Sequence, residues 1–446
     1  MTTTTISSRL RVFIICLAAA SVGLTMAIIS IAKFLLIVAC LCTLVLAMLR
    51  SRPEGVRPLA GAGADNPLAR FLTPAVTVAI LAAFSLSLFW TTGPDSDAYG
   101  SVAKYGKLLV IAALLALVRS RREATFALLA FMGTQIFLAL SSWLLFLHVP
   151  LPWATSTMAL DEYAVFSTYL DEGIITAAAG AVFWHLRGDV GDILRDAMGW
   201  RHGRTFAIAM AALCILNVLF VLRGRSGHVA AIAVVSMAVM WQLPNRIRVL
   251  AVALPFAVFA LLYLSSDAVK GRATDMLKEV KTFSYSSPEQ QVTSSGIRLM
   301  LWISSMTLIE RHPVAGTGVG SFSTEYNALE TARNPSHKLA AGNFNPHQEY
   351  LLWGVQLGIP GILLLLAFMV SLFRDSFRLG VASRRAVQSV TVAMAVACLF
   401  NSSLYDALIG DFFCVTLGLL LAYGWFTRPG APPDATANRQ PAGTAA

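Results

Sequence analysis

The chain has 446 residues and a formal net charge of +10; 57% of its residues are hydrophobic and only 13% are charged. Its mean hydropathy of +0.68 excludes a soluble globular domain. We interpret the chain as an all-α polytopic membrane protein. The basic residues fall mainly in short segments between apolar runs, where they report topology, so we expect no nucleic acid partner.

Apolar runs recur along the chain, and a bilayer core about 30 Å thick needs about 20 such residues per helix. They predict about twelve transmembrane helices. The predicted spans are 11–29, 32–49, 71–90, 106–118, 125–147, 164–186, 205–222, 229–243, 249–265, 349–373, 386–404 and 408–426. The first run follows Arg9 and Arg11, as in a signal peptide, but a second span comes at once, so we predict a retained first helix.

Arginine clusters occupy alternate loops, and the short loops between them are poor in basic residues. The positive-inside rule therefore places both termini in the cytoplasm. The same alternation places one long loop, 266–346, on the outer side of the membrane. We treat residues 1–430 as a single membrane domain that includes this loop, and residues 431–446, rich in Pro, Ala and Gly, as a disordered cytoplasmic tail.

The outer loop contains an amphipathic pattern and a glycine-rich motif. The stretch SSGIRLMLWISSMTLIERHP has apolar residues at helical spacing, a Ser cap and a Pro stop, and predicts a helix from about Ser295 to Glu310. One face of this helix carries Arg298 and Trp302. GTGVGS, residues 316–321, is similar to a phosphate-binding loop but lacks the lysine and the strand-to-helix context, so we predict a flexible turn.

Arginines near the outer membrane edge are the first candidate functional residues. In LRGRSGH, a tight turn between two spans holds Arg223 and Arg225, against the topology bias. They could extend to lipid headgroups, or they could bind a phosphate-bearing ligand, whose oxygens match the guanidinium fork. We favour the phosphate interpretation, with Arg298 as a third cation. Asp171 and Glu172 lie inside a predicted span, where structural pairing with Arg223 or Arg225 is the favoured interpretation.

His347 is the candidate for acid–base chemistry. In NPHQEYL, Asn345 suits a helix cap, Pro346 the first helical position and Gln348 a capping box, so the pattern predicts that His347 lies in the first helical turn. The helix dipole there disfavours imidazolium, and a neutral imidazole can act as a general base near neutral pH. A lone histidine at a helix start is more often an ordinary interface residue.

We predict no metal site and no cofactor. The six cysteines and the remaining histidines have no metal-ligand spacing. The DSD motif, Asp95 to Asp97, has the spacing of metal-binding carboxylates in many nucleotide-sugar transferases. It lies between Gly-Pro and a Gly-containing run, so a turn is the better interpretation.

Five motifs in order resemble those of a known family. RGRSG closes a span, RLMLW lies on the outer-loop helix, and GTGVGSF, NPHQEYL and LGIPG follow. In this order and topology the chain resembles the O-antigen ligase and polymerase superfamily, most closely the O-antigen ligases. The resemblance covers about residues 204–406; the first spans match in character only.

The resemblance implies a metal-independent, inverting glycosyltransferase. Such an enzyme moves O-antigen polysaccharide from undecaprenyl pyrophosphate to the lipid A core, at the periplasmic face of the bacterial inner membrane. Its partners would be the undecaprenyl-pyrophosphate-linked donor, the lipid A-core acceptor and membrane lipids. His347 matches the family's catalytic histidine, and Arg225 and Arg298 match its two essential arginines. Arg223 is a neighbouring donor-site candidate, and Asp406 matches by position as a residue that could line the same cavity.

Two alternative functions remain open. An O-antigen polymerase of the same superfamily uses the same donor but a second lipid-linked glycan as acceptor. A lipid-linked oligosaccharide flippase or other transporter would place cations along a path through both leaflets and would favour internal repeats. In this sequence the candidate cations gather at the outer edge and no repeat is evident, which favours the transferase.

Overall fold

The computed structural model describes residues 7–50, 67–222, 224–265, 294–333 and 345–431, with a few positions between 266 and 293. Throughout these residues the regular structure is helical and no strand occurs, which agrees with the predicted all-α class. The candidate Arg223 and the predicted disordered tail beyond residue 431 lie outside the described residues.

Short and long helices alternate in the first part of the chain. They are α1 (Ser8–Ser21), α2 (Met26–Arg50), α3 (Pro67–Arg70), α4 (Thr73–Leu86), α5 (Asp95–Tyr105), α6 (Leu109–Leu117), α7 (Arg121–Phe146), α8 (Ala159–Glu162), α9 (Tyr169–His185), α10 (Arg187–Met198), α11 (Gly203–Leu216), α12 (Arg225–Met240) and α13 (Leu254–Ser265). A π-helical turn, Asn217–Val221, extends α11, and a 3-10 helix, Asn245–Val252, precedes α13.

The second part begins with two helices in the predicted outer loop and ends with long apolar helices. They are α14 (Ser294–Arg311), α15 (Phe322–Arg333), α16 (Glu349–Leu357), α17 (Ile359–Ser376), α18 (Val381–Phe400) and α19 (Ala407–Thr427). α14 confirms the helix predicted from about Ser295 to Glu310.

Six helical segments within the described residues are long and apolar enough to cross a membrane. They are Met26–Leu46, Asp95–Leu117, Arg121–Phe146, Gly203–Val221, Ile359–Ser376 and Ala407–Thr427. The segments Thr73–Phe89 and Arg225–Met240 are apolar but shorter. The chain therefore has the character of an integral membrane protein, while the count of about twelve spans and the single-domain division remain predictions from the apolar runs.

The first predicted span boundary is wrong. We predicted a break between residues 29 and 32, but α1 ends at Ser21 and α2 begins at Met26. Gly23 lies in this turn with φ +84°, a conformation that glycine adopts without steric cost. The apolar character continues through the turn, so hydropathy alone could not locate it.

The predicted span 349–373 is also wrong, because the chain reverses within it. Gly358 has φ +70°, and a Cβ there would lie 2.5 Å from the Pro313 carbonyl oxygen, so only glycine fits. The Tyr350 hydroxyl in α16 donates to the Ala395 carbonyl at 3.2 Å and lies 3.5 Å from the Met369 sulfur in α17. Helices α16 and α17 therefore lie side by side as a hairpin.

The core of the bundle surrounds α19 and α9. Every residue of α19 from Ile409 to Trp425 is buried, as expected for a helix that is apolar on all sides. α9 is buried from Glu172 to Phe183, and its Gly173 lies against Gly227 of α12. Small residues at such a crossing let two backbones approach closely. The start of α12, with Arg225, is thereby fixed against the start of α9.

The glycine-rich motif is firmly packed, contrary to the predicted flexible turn. The Thr317 and Gly318 amides donate to the Val355 and Gln356 carbonyls at 2.9 Å each. The Thr91 hydroxyl donates to the Val319 carbonyl at 2.7 Å, and a Cβ on Gly320 would lie 2.6 Å from Ala98. The motif joins α16 to the segment before α5, and it does not have the geometry of a phosphate-binding loop.

Candidate functional site

His347 lies in a tight turn before α16, not in the first helical turn as predicted. The Asn345 side chain accepts the His347 amide at 2.9 Å and the Ser402 hydroxyl at 3.0 Å. Gln348 is the residue that caps the helix, because its side chain accepts the Leu351 amide at 2.7 Å. Asn345 therefore caps a turn rather than a helix, and it ties that turn to the segment between α18 and α19.

The backbone of His347 is strained. Its φ is +50°, a left-handed conformation that few residues with a Cβ adopt, and its side chain is exposed. Such a conformation costs about 1–3 kcal/mol and persists where the surroundings enforce it, often at functional sites. The turn leaves the His347 imidazole exposed, whereas Pro346, directly before it, is buried.

Glu349 connects the His347 turn to the α18–α19 segment. The residue is fully buried, and one carboxylate oxygen accepts the Trp353 indole N–H at 2.6 Å and the Tyr105 hydroxyl at 3.3 Å. The other oxygen accepts the Leu404 and Tyr405 amides at 2.8 and 3.1 Å. Four donors thus converge on one carboxylate, which fixes the segment 401–406 against the residue two positions after His347.

Asp406 is brought close to His347 by this arrangement. Burial raises the pKa of the Asp406 carboxyl above its ordinary value, and the nearby charges of His347, Lys107 and Lys104, with a hydrogen bond from Asn401, oppose the rise. The Lys107 ammonium also donates to the Asp406 carbonyl at 2.6 Å. Asp406, predicted only as a cavity-lining residue, therefore lies within electrostatic reach of the imidazole.

Arg298 and Arg225 lie together on the other side of the turn. Burial lowers the pKa of the Arg298 guanidinium, the adjacent Arg225 lowers it further, and Tyr169 opposes this. One helical turn after Arg298, the Trp302 indole N–H donates to the Pro346 carbonyl at 3.1 Å. This hydrogen bond joins the arginine-bearing helix α14 directly to the residue before His347.

Neither arginine is neutralised by a carboxylate among the described residues. Within the part that the structure describes, Arg225 and Arg298 make no ion pair and no hydrogen bond. The predicted pairing of Asp171 or Glu172 with Arg225 does not occur, and Glu172 instead accepts the Val165 amide at 2.7 Å. Two adjacent, unpaired guanidinium groups are an arrangement that favours an anionic ligand.

The start of α12 adds backbone donors to the same place. Arg225 is the first residue of this 16-residue helix, and Gly224 before it offers no side-chain cap. The first amides of a helix have no partner within it, and the helix dipole favours an anion there. A bound phosphate would thus meet guanidinium groups and free N–H groups together.

The start of α9 joins the two halves of the site. Tyr169 interacts electrostatically with Arg298, and Asp171, two residues later, interacts with Asp406. The structure therefore brings Arg225, Arg298, His347 and Asp406 to one end of the bundle, which we name the His347 end.

Asp95 and Asp97 instead occupy the first turn of α5, where carboxylates complement the helix dipole. Among the described residues, no three His, Cys, Asp or Glu side chains are grouped to hold a metal ion.

Comparison with known proteins agrees with this geometry. Residues 210–366 match the family model described as O-Antigen ligase. This match supports membership in the O-antigen ligase and polymerase superfamily. That family indicates glycosyltransferase activity of the ligase or polymerase type, on lipid-linked glycans. No curated protein matches the chain.

The matched region contains Arg225, Arg298 and His347 and ends before Asp406. The sequence patterns did not indicate Glu349 and Lys107 as parts of the site. Glu349 could have been noticed, because a carboxylate at the start of an apolar run is costly in a membrane protein and calls for partners. Those partners are up to 244 residues away in sequence, so no local pattern could have identified them.

Proposed function

We propose that the chain is an O-antigen ligase. It transfers O-antigen polysaccharide from undecaprenyl pyrophosphate to a sugar of the lipid A-core oligosaccharide, in lipopolysaccharide biosynthesis. The hydrogen bond between Trp302 and Pro346 carries the proposal, because it couples the unpaired arginines to the exposed histidine within a family of this activity. A charged lipid-linked donor and a base for the acceptor would then meet at one place.

His347 would act as the general base. Its imidazole takes the proton from the acceptor hydroxyl as that oxygen attacks the anomeric carbon of the donor sugar. The glycosidic bond forms as the bond to the pyrophosphate breaks on the opposite face, so the anomeric configuration inverts. Asp406, within electrostatic reach of the imidazole, would stabilise the imidazolium that results.

Arg225 and Arg298 would hold the pyrophosphate, with Arg223 as a further candidate whose position lies outside the described residues. The negative charge of the leaving group increases as the bond between the anomeric carbon and the pyrophosphate oxygen breaks, and fixed cations that meet this charge lower the barrier. Guanidinium groups and the start of α12 can supply that stabilisation, so we propose a metal-independent reaction. The leaving group is already a good one, which reduces the need for acid catalysis.

The proposed location follows from the charge pattern. The positive-inside rule supports a multi-pass protein of the bacterial inner membrane with cytoplasmic termini and the His347 end in the periplasm. That orientation suits a donor and an acceptor that both reach the site through the outer leaflet.

Reconstitution with defined substrates tests the proposal. Purified protein receives undecaprenyl-pyrophosphate glycan with or without lipid A-core, and products are separated by mass. We expect glycosylated lipid A-core only when the acceptor is present, and unchanged yield with EDTA. Lipid-linked chains that lengthen without the acceptor would show a polymerase. Movement of the donor across a vesicle without new glycosidic bonds would show a transporter, and loss of activity with EDTA would return Asp95 and Asp97 to consideration.

A further inference from the structure

An apolar cavity opens between helices at the end of the bundle opposite His347. Its volume is about 340 Å³, and it is lined by residues of α9, α11 and α12, including Trp184, Ala211 and Ala238, and by Gln242 just after α12. α9 runs from Tyr169 at the His347 end to His185, a length of about 25 Å at 1.5 Å per residue. The cavity adjoins the far end of that helix, well away from the proposed transfer site.

Three arginines contact aromatic rings at the cavity or directly beside its lining. The Arg187 guanidinium lies 4.3 Å from the ring centre of Trp184, which lines the cavity. Arg248 and Arg385 lie 5.2 and 5.3 Å from the ring centre of Trp241, the neighbour of the lining residue Gln242. Cation–π contacts of this kind hold the guanidinium groups in place beside the cavity.

These cations have no carboxylate partner in the part of the chain that the structure describes. Arg385 lies close enough to Arg248, Arg187 and Arg384 for their charges to repel. Arg187 is also repelled by Arg204. Within the described ranges none of the three ring-stacked arginines makes an ion pair, and the hydrogen bonds of Arg187 and Arg248 go to the Trp184 and Leu243 carbonyls. A cluster of like charges without a counter-ion is unfavourable unless an anion binds there.

We propose that this cavity and its arginines form a binding site for an anionic phospholipid of the leaflet opposite the His347 end. One acyl chain occupies the apolar cavity, and the phosphate group contacts Arg187, Arg248 and Arg385. Basic pockets between membrane helices on the cytoplasmic side suit such headgroups. The positive charge of the arginines favours an anionic phospholipid over an uncharged apolar ligand. An apolar chain alone would fill the cavity but would leave the charge of the arginines uncompensated.

The arginines beside the cavity differ in their surroundings from other arginines at this end of the bundle. Exposed arginines at this end, such as Arg195, Arg201 and Arg378, carry the same charge. They do not line this cavity, and among the described residues they make no cation–π contact. These residues therefore supply a matched control for the loss of charge.

Native mass spectrometry of the full chain with defined lipids tests the proposal. The lipids are phosphatidylglycerol and phosphatidylcholine with identical acyl chains, each titrated into detergent-purified protein. We expect one phosphatidylglycerol to be retained at least tenfold more strongly than phosphatidylcholine. A triple Arg187→Gln, Arg248→Gln and Arg385→Gln variant should lose that preference. Ala238→Phe, which fills the cavity and leaves the charges in place, should also weaken retention.

Four results would overturn the proposal. Equal retention of both lipids by the wild-type chain would remove the charge argument. An equal loss in a control variant, Arg195→Gln with Arg201→Gln and Arg378→Gln, would show that total charge alone matters. Unchanged retention in Ala238→Phe would remove the cavity as the acyl site. Displacement of the phospholipid by a polyprenyl pyrophosphate would assign the cavity to the donor's chain instead.

Discussion

Replacement of Glu349 by Gln should disable transfer while the fold survives. The four groups around this carboxylate are the Trp353 indole, the Tyr105 hydroxyl and the Leu404 and Tyr405 amides, and all of them donate in the structure. A Gln side chain has a single acceptor oxygen and presents an NH₂ group on the other side. At least one buried N–H must then face a donor and lose its partner.

The expected loss of stability in Glu349→Gln follows from the unsatisfied buried donor. An unsatisfied buried donor costs about 1–3 kcal/mol, and a hydrogen bond to a charged acceptor contributes about 1.5–3 kcal/mol. We therefore expect the free energy of unfolding to fall by about 2–3 kcal/mol. The segment 401–406 should also shift relative to His347, and a displacement of about 1 Å in a catalytic arrangement can lower the rate about 100-fold.

Asp375 provides a matched control for this variant. It is equally buried, and its carboxylate accepts the Leu72 and Thr73 amides at 2.9 and 2.7 Å and the Thr73 hydroxyl at 2.7 Å. It lies at the end of α17 away from Gly358 and the His347 turn. Asp375→Asn should therefore lower thermal stability to a similar extent without lowering the rate of transfer per folded molecule.

The measurement pairs thermal unfolding in detergent with kcat and KM for glycan transfer, at a temperature where every variant is folded. We expect Glu349→Gln to lower kcat with little change in KM for the donor, because the arginines are untouched. If both variants lost activity only in proportion to their loss of stability, Glu349 would have a purely structural role and the reasoning would be refuted.

Three further predictions concern the remaining site residues. Arg298→Gln should raise KM for the donor about tenfold or more while Arg311→Gln on the same helix leaves it unchanged, and equal effects would remove Arg298 from the donor site. Burial raises the pKa of Asp406 in the folded chain above the ordinary value of 3.8. The contribution of Asp406 to stability therefore falls as the pH rises from the ordinary pKa through the raised pKa of the folded chain. Asp406→Asn should remove that part of the decline in melting temperature while it slows transfer, and an unaltered pH profile of stability would contradict the assignment. His347→Gly should be about 1 kcal/mol more stable than His347→Ala, because glycine adopts φ +50° without strain, and equal melting temperatures would contradict the strain.

The sequence predicted the elements whose signals are local. The membrane class follows from composition, and α14 follows from helical spacing between a Ser cap and a Pro stop. The candidate residues Arg225, Arg298 and His347 were found from the motifs around them, and the structure brings them to one end of the bundle. Their roles in the reaction remain proposals that the experiments above address.

The features that the sequence did not predict depend on distant partners. Asn345 has the composition of a helix cap, but its side chain is taken by the Ser402 hydroxyl, 57 residues away, and by the His347 amide. Gln348 then caps the helix instead. The hairpin at Gly358 was hidden because apolar residues lie on both sides of the reversal, and hydropathy cannot distinguish two short helices from one long span.

The most direct test of the central claim compares the wild-type chain with His347→Ala in the reconstituted reaction. Both proteins are purified at matched yield and monodispersity, and each receives undecaprenyl-pyrophosphate glycan and lipid A-core. We expect glycosylated lipid A-core from the wild-type chain and a rate at least 100-fold lower from the variant, because a general base contributes about 10²–10⁴-fold to the rate. Near-normal transfer by His347→Ala, or no product from the wild-type chain, would contradict it.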